Sequence, residues 1–186
     1  MELLISGLFI WSVVHLIPSV APSVKTKWVG ALGETGYKIS FAVLLLVSLA
    51  LIIFGWRASE PTFLYQIPAG ARHPVMLLLL IAFVLFGASN YPTRIKNFIR
   101  HPQLTGVMVW ATAHLLLNGD SRSVVLFGGM GVWALLEIIL ISRREGEWVK
   151  KPAPGWGREI RGLVISLVVL AVVVAIHPYI AGVSIR

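Results

Sequence analysis

The chain has 186 residues, of which 57% are hydrophobic and 13% charged, with a formal net charge of +8 and no cysteine. A soluble domain carries about twice that charged share, so an ordinary soluble globular protein is excluded and one integral membrane domain spanning residues 1–186 is expected. The missing cysteines exclude disulfides, thiolate metal sites and haem attachment through C-x-x-C-H, and the basic balance does not indicate nucleic acid, because the cations fall in loops where membrane topology accounts for them.

Six apolar segments predict an all-α fold, a polytopic transmembrane bundle of about six helices. The first, Leu3–Ile17, contains WSVVHLIPS and is closed by Pro18 and Pro22. It has neither the basic start nor the small-residue cleavage site of a secretory leader, so a retained helix is expected. The second is Tyr37–Trp56, followed by SEP at Ser59–Pro61, and the third is Val75–Ser89, followed by NYP at Asn90–Pro92. The fourth, Pro102–Asn118, and the fifth, Ser123–Ile141, are separated only by NGDSRS, which makes them antiparallel neighbours. There Gly119 suits a helix C-terminus and Ser121 the cap of the next helix. FGGMG at Phe127–Gly131 offers a small-residue face for close helix packing. KKPAPGWG at Lys150–Gly157 is a loop before the sixth segment, Ile160–Ile180. The first, third and fourth segments are short for a span of roughly 20 residues.

The loop charges predict orientation. Arg57, Arg72, Arg122 and Arg186 lie on one side, and the other twelve Lys and Arg lie on the first, third and fifth loops. By the positive-inside rule the twelve-cation side is cytoplasmic and both termini lie outside the cytoplasm.

Ionisable groups inside a membrane are costly and tend to be paired or functional. Three sit deep in apolar runs: His15, His114 and Glu137. Trp11 precedes His15 and Trp110 precedes His114 by four residues, which puts indole and imidazole on one helix face. Two neutral imidazoles on different helices are a donor set for one b-type haem. The same spacing also suits plain packing, with each histidine bonded to a neighbouring helix. On these segment boundaries the two histidines differ in depth by roughly 10 Å. Glu137 falls near the depth of His15 and could orient it through its second ring nitrogen. The dipeptide His-Pro recurs at His73, His101 and His177, each near a helix end, where His73 and His177 as interfacial histidines need no further role. Arg94, Lys96 and Arg100 are expected to meet acidic lipid, with haem propionates or no particular partner as the other candidates.

The stretch RHPQLTGVMVWATAHLLLNGD, Arg100–Asp120, together with WSVVHLIPS and the chain length, resembles the NnrU family of bacterial membrane proteins. The resemblance extends over the whole chain. That family is named from a bacterial gene linked with nitrite and nitric oxide metabolism, and it includes the plant 15-cis-zeta-carotene isomerase, a haem-b membrane enzyme. The resemblance implies one NnrU-type domain in the bacterial inner membrane, with haem b held by His15 and His114. Trp11 and Trp110 would line the haem faces, and His101 and Glu137 would support the ligands. A role in denitrification would supply a membrane redox partner or a nitrogen-oxide respiratory enzyme. Two other readings stay open: a redox-dependent carotenoid or polyene cis–trans isomerase, and a haem-free accessory or scaffold protein. The plant isomerase carries a cysteine one turn before the later histidine, where this chain has Ala111, so a redox switch needing that thiolate is not expected here.

Overall fold

A computed structural model describes residues 1–182 except 69 and 71. Arg186 and the side chain of Arg72, both used in the orientation argument, lie outside the described residues. The fold is all-helical. Six helices follow one another: α1 Glu2–Val20, α2 Pro22–Ala58, α3 Arg72–Ser89, α4 Pro102–Leu117, α5 Ser121–Glu145 and α6 Trp156–Ala181. A short 3₁₀ turn, Arg94–Asn97, lies between α3 and α4. Among the described residues the only extended pairing is an isolated bridge between Phe63 and Asp120.

Helices α1, α2, α5 and α6 are long and apolar enough to cross a membrane. Large apolar side chains point outward along them. Phe9, Leu46, Phe54 and Val168 are each more than half exposed, which in water would be a large unburied apolar surface and in lipid is the normal state. The chain is an integral membrane protein.

Helix α1 packs along α2, α3 along α4, α5 lies against both α1 and α4, and α6 rests on α3. Without a hydrophobic drive between helices in lipid, small residues let backbones approach. At Gly7 a Cβ would come within 2.8 Å of the Ser48 carbonyl, and at Gly55 it would overlap the Leu4 backbone. The start of α1 therefore lies on the end of α2. Gly106 meets Phe86 and Ala82 in the same way, Gly87 meets Ser166, and Gly162 meets Tyr91. These pairs make neighbouring helices antiparallel. FGGMG serves this packing: Gly129 faces Leu8 of α1 and Gly131 faces Ala111 of α4. Leu4, Leu8 and Ile52 form a buried core against Val125, Leu126 and Met130.

Several local expectations change. Pro18 does not close the first helix. It lies inside α1, and α2 begins directly after Ala21 with Pro22 in its first turn. Residues 22–36, expected as a loop, are helical because Pro22 is pre-shaped for a helix start. The break comes at Gly33, with φ 69° and ψ 169°, a conformation open essentially to glycine alone. Residues 22–32 thus form a separate arm, whose Trp28 and Lys25 fold back onto the Tyr37 ring. The cap of α5 is Asp120 rather than Ser121: its carboxylate accepts from Ser123 N at 3.0 Å and Ser123 Oγ at 2.7 Å. Ser121 Oγ instead accepts from Thr62 N. Gly119 is required by a neighbouring loop, since its carbonyl accepts from Leu64 N and Tyr65 N and a Cβ would overlap the Tyr65 carbonyl. His177 and Pro178 lie in the last turns of α6, not at a helix start.

Candidate functional site

Both intramembrane histidines are held in one way. His15 Nδ1 lies 2.8 Å from the Trp11 carbonyl, and His114 Nδ1 lies 2.9 Å from the Trp110 carbonyl. A carbonyl only accepts, so in each ring Nδ1 carries the hydrogen and donates it. Nε2 is then left with its lone pair, the atom a metal would take. Among the described residues neither Nε2 has a hydrogen-bond partner. The W-x-x-x-H spacing therefore fixes tautomer as well as face.

The rings occupy two aromatic cages. His15 packs on Trp11 at 4.5 Å between centroids, on Trp133 at 5.0 Å and on Phe41 at 5.6 Å. His114 stacks on Phe127 at 4.4 Å and lies 4.9 Å from Trp110. Trp133 and Phe127 both belong to α5, six residues apart, or about 9 Å of helix rise. The two cages are thus set at different levels along α5.

A groove of about 330 Å³ opens beside His114, at the small end of the range for ligand pockets. Trp11, Trp110, Phe127 and Met130 line it with His114. His15 is not in the lining. It packs behind Trp11, which is shared between its cage and the groove. The second histidine in the lining is His177, from the end of α6. Its place was hidden in the sequence, because nothing local says that α6 ends against α2. The structure shows that meeting: Trp56 Nε1 donates to the Ala181 carbonyl and Arg57 to the Tyr179 carbonyl. Beyond Trp56 and Asn118 the groove meets a wider cleft of about 870 Å³, lined also by Tyr65, His73 and Arg122. Arg122 lies 4.3 Å over the Trp56 ring and 3.7 Å from the Asp120 carboxylate.

Glu137 is buried on α5, one turn beyond Trp133. It makes no hydrogen bond to His15, whose Nδ1 already has the nearer Trp11 carbonyl. Glu137 Oε1, Trp11 Nε1 and Trp133 Nε1 are all buried without hydrogen-bond partners among the described residues. His101 caps the opposite end of α4 from His114 and bonds through Nε2 to Ser142 Oγ at 2.9 Å. It ties α4 to α5 and does not reach the groove. Burial holds its imidazole below the usual histidine range; Glu145 opposes this and Arg100 adds to it. Arg94 stacks on Trp156 and donates to the Pro154 carbonyl, Lys96 donates to the Ser89 carbonyl, and Arg100 to the Gly146 carbonyl and Glu145. These three cations brace loops at the end of the bundle away from His114.

Among the described residues no three His, Asp or Glu side chains gather to hold a bare metal ion. A haem needs fewer protein ligands, because the porphyrin supplies the rest. In the groove, the neutral His114 imidazole with its available Nε2 and the apolar aromatic lining suit that group, while His15 stands outside the lining, behind Trp11. The family model described as NnrU protein matches residues 3–185. No curated protein and no solved structure matches the chain.

Proposed function

The chain belongs to the NnrU family, and from that premise we propose that it is a haem-b protein of the bacterial inner membrane, with a role in nitrogen-oxide metabolism. In this reading His15 and His114 would hold the haem iron, and Trp11 and Trp110 would lie beside the group. A membrane redox partner or a nitrogen-oxide respiratory enzyme would exchange electrons with it. When bound, haem supplies one-electron chemistry. The protein's part is to present imidazoles of one tautomer in an apolar environment and to keep water away. The observation that carries the reading is the matched pair of Nδ1 bonds to the Trp11 and Trp110 carbonyls, which leaves both Nε2 atoms open. His101 would support His114 from a distance by fixing α4 on α5, and Glu137 would act on His15 only through Trp133, one turn before it on α5.

One observation favours a second ligand set: His177, not His15, shares the groove with His114. Visible absorption of protein purified from a haem-sufficient host tests both sets. A Soret band with reduced α and β bands is expected. His114→Ala should abolish it, and His15→Ala should weaken or abolish it while His177→Ala leaves it intact. Loss in His177→Ala with retention in His15→Ala would transfer the second ligand to α6. A colourless protein that also fails to take up added haemin would leave the haem-free scaffold reading.

A further inference from the structure

A second groove, of about 860 Å³, runs between α3 and α6, and its lining shares no residue with the groove beside His114. Its floor is set by the close approach of the two helices, where Gly87 meets Ser166 and Gly162 carries the Tyr91 ring. Its inner end is apolar, made by Phe83, Phe86, Ile165 and Val169. Ile165 and Val169 are 55% and 46% exposed. Its mouth is polar and basic, with Tyr91, Arg158 and Arg161. Both arginines are exposed, and among the described residues neither guanidinium has a hydrogen bond or ion pair with the protein. The nearest acid on the same helix, Glu159, is close enough to act on the Tyr91 phenol, but its carboxylate is engaged by Thr93 Oγ at 2.7 Å and Arg94 N at 2.6 Å. The mouth therefore carries two guanidinium groups that make no ion pair with it.

Length decides what such a groove holds. From Arg158 to Val169 is eleven residues, about 17 Å of helix rise. One leaflet of the hydrocarbon core is about half of 30 Å. The cations thus stand one acyl-chain length from the apolar end. Trp156, 66% exposed just before the arginines, has the amphipathic ring found at the membrane–water boundary. We propose that the α3–α6 groove binds one anionic diacyl phospholipid, with its phosphate at Arg158 and Arg161 and an acyl chain along Phe86, Ile165 and Val169. The lipid fills the side of α6 that protein leaves open and wedges that helix onto α3. The charge difference between an anionic and a zwitterionic headgroup supplies the selectivity.

Native mass spectrometry of the detergent-purified full chain with dioleoyl phosphatidylglycerol or dioleoyl phosphatidylcholine tests this. One phosphatidylglycerol should be retained at activation energies that strip phosphatidylcholine. Arg158→Gln with Arg161→Gln should lower that preference roughly 10- to 30-fold, as expected for two cations at a membrane surface. Arg158→Lys with Arg161→Lys keeps the charge and should keep most of the preference, which separates loss of charge from damage to the fold. Ile165→Trp fills the apolar end and should cut retention with both cations in place. Equal retention of the two lipids by the wild-type chain would overturn the proposal. So would an unaltered preference in the glutamine double variant, or unaltered retention in Ile165→Trp. Displacement of the lipid by millimolar inorganic phosphate would make this an anion site with no acyl-chain recognition, and would also overturn it.

Discussion

Glu137 is 4% exposed, and its Oε1 has no hydrogen-bond partner among the described residues. A buried polar atom left in that state costs about 1–3 kcal/mol. Glu137→Leu replaces it with an apolar side chain of similar reach, so the purified protein should gain stability of about 1 kcal/mol. The check is a rise in Tm in detergent; a fall would mean that a bound water or ligand satisfies the carboxyl. His101 gives a residue-scale prediction with a pH sign. Burial keeps its folded-state pKa below the usual value, with Glu145 opposing and Arg100 adding to the shift. The unfolded chain therefore takes up a proton more readily than the folded one. The contribution of the neutral ring is full above the ordinary histidine pKa of about 6.5 and is lost progressively as pH falls below it. The Tm should be lower at pH 5.5 than at pH 7.5, and His101→Asn should narrow that difference. A difference of equal size in the variant would assign the pH response to other groups.

The kink in α2 is the clearest element-scale device. Gly33 holds φ 69° and ψ 169° between the arm and the long apolar stretch, and an L side chain there costs about 1–3 kcal/mol. Gly33→Ala should relax this by letting the helix continue straight. The chain has no cysteine, so spin labels at Lys27→Cys and Leu46→Cys can report the distance cleanly. A straight helix would put their backbones about 29 Å apart, and the alanine variant should move toward that value from a shorter one. An unchanged distance would mean that contacts such as Trp28 on Tyr37, and not the glycine, hold the bend. This arm also marks where the sequence ceased to be legible. Its lysines and glycines resemble a loop, and only the position of Pro22 hints at a helix start. The six apolar segments and their antiparallel order were legible because hydropathy and turn residues are local signals. So were the shared faces of Trp11 with His15 and Trp110 with His114, which need nothing beyond helical spacing. The partner of His114 was not legible in that way. Whether His15 or His177 stands across from it depends on how α6 ends against α2, a contact between segments more than a hundred residues apart. Asp120 displaced Ser121 as a cap for a similar reason: the Thr62 backbone claims the Ser121 hydroxyl.

At the scale of the whole molecule the question is which end of the bundle faces the cytoplasm, and whether the short hairpin of α3 and α4 crosses at all. Helix α4 has 16 residues, about 24 Å of rise against a core of about 30 Å. Its contacts nevertheless carry it from one end of the bundle to the other. His101 at its start bonds Ser142 near the end of α5, and Gly119 just past its end takes hydrogen bonds from Leu64 and Tyr65 of the loop after α2. The end that gathers Ser142, Arg94 and Arg158 holds most of the chain's cations, so the positive-inside rule predicts that this end faces the cytoplasm. Fusions at the C-terminus cannot settle the hairpin, because four spans and six both return the chain to the starting side. Single cysteines can. Phe98 is 83% exposed between α3 and α4, and Phe63 is 71% exposed in the loop after α2. In a six-span protein of this orientation, a membrane-impermeant maleimide added to cells with a permeable outer envelope should label Phe63→Cys and leave Phe98→Cys untouched. Inverted inner-membrane vesicles should give the opposite pattern. A C-terminal phosphatase fusion should be active and a green fluorescent fusion dark. Labelling of both cysteines from one side would mean that α3 and α4 form a hairpin that enters the bundle without crossing it, and protection of Phe63→Cys in cells with labelling in vesicles would invert the whole molecule.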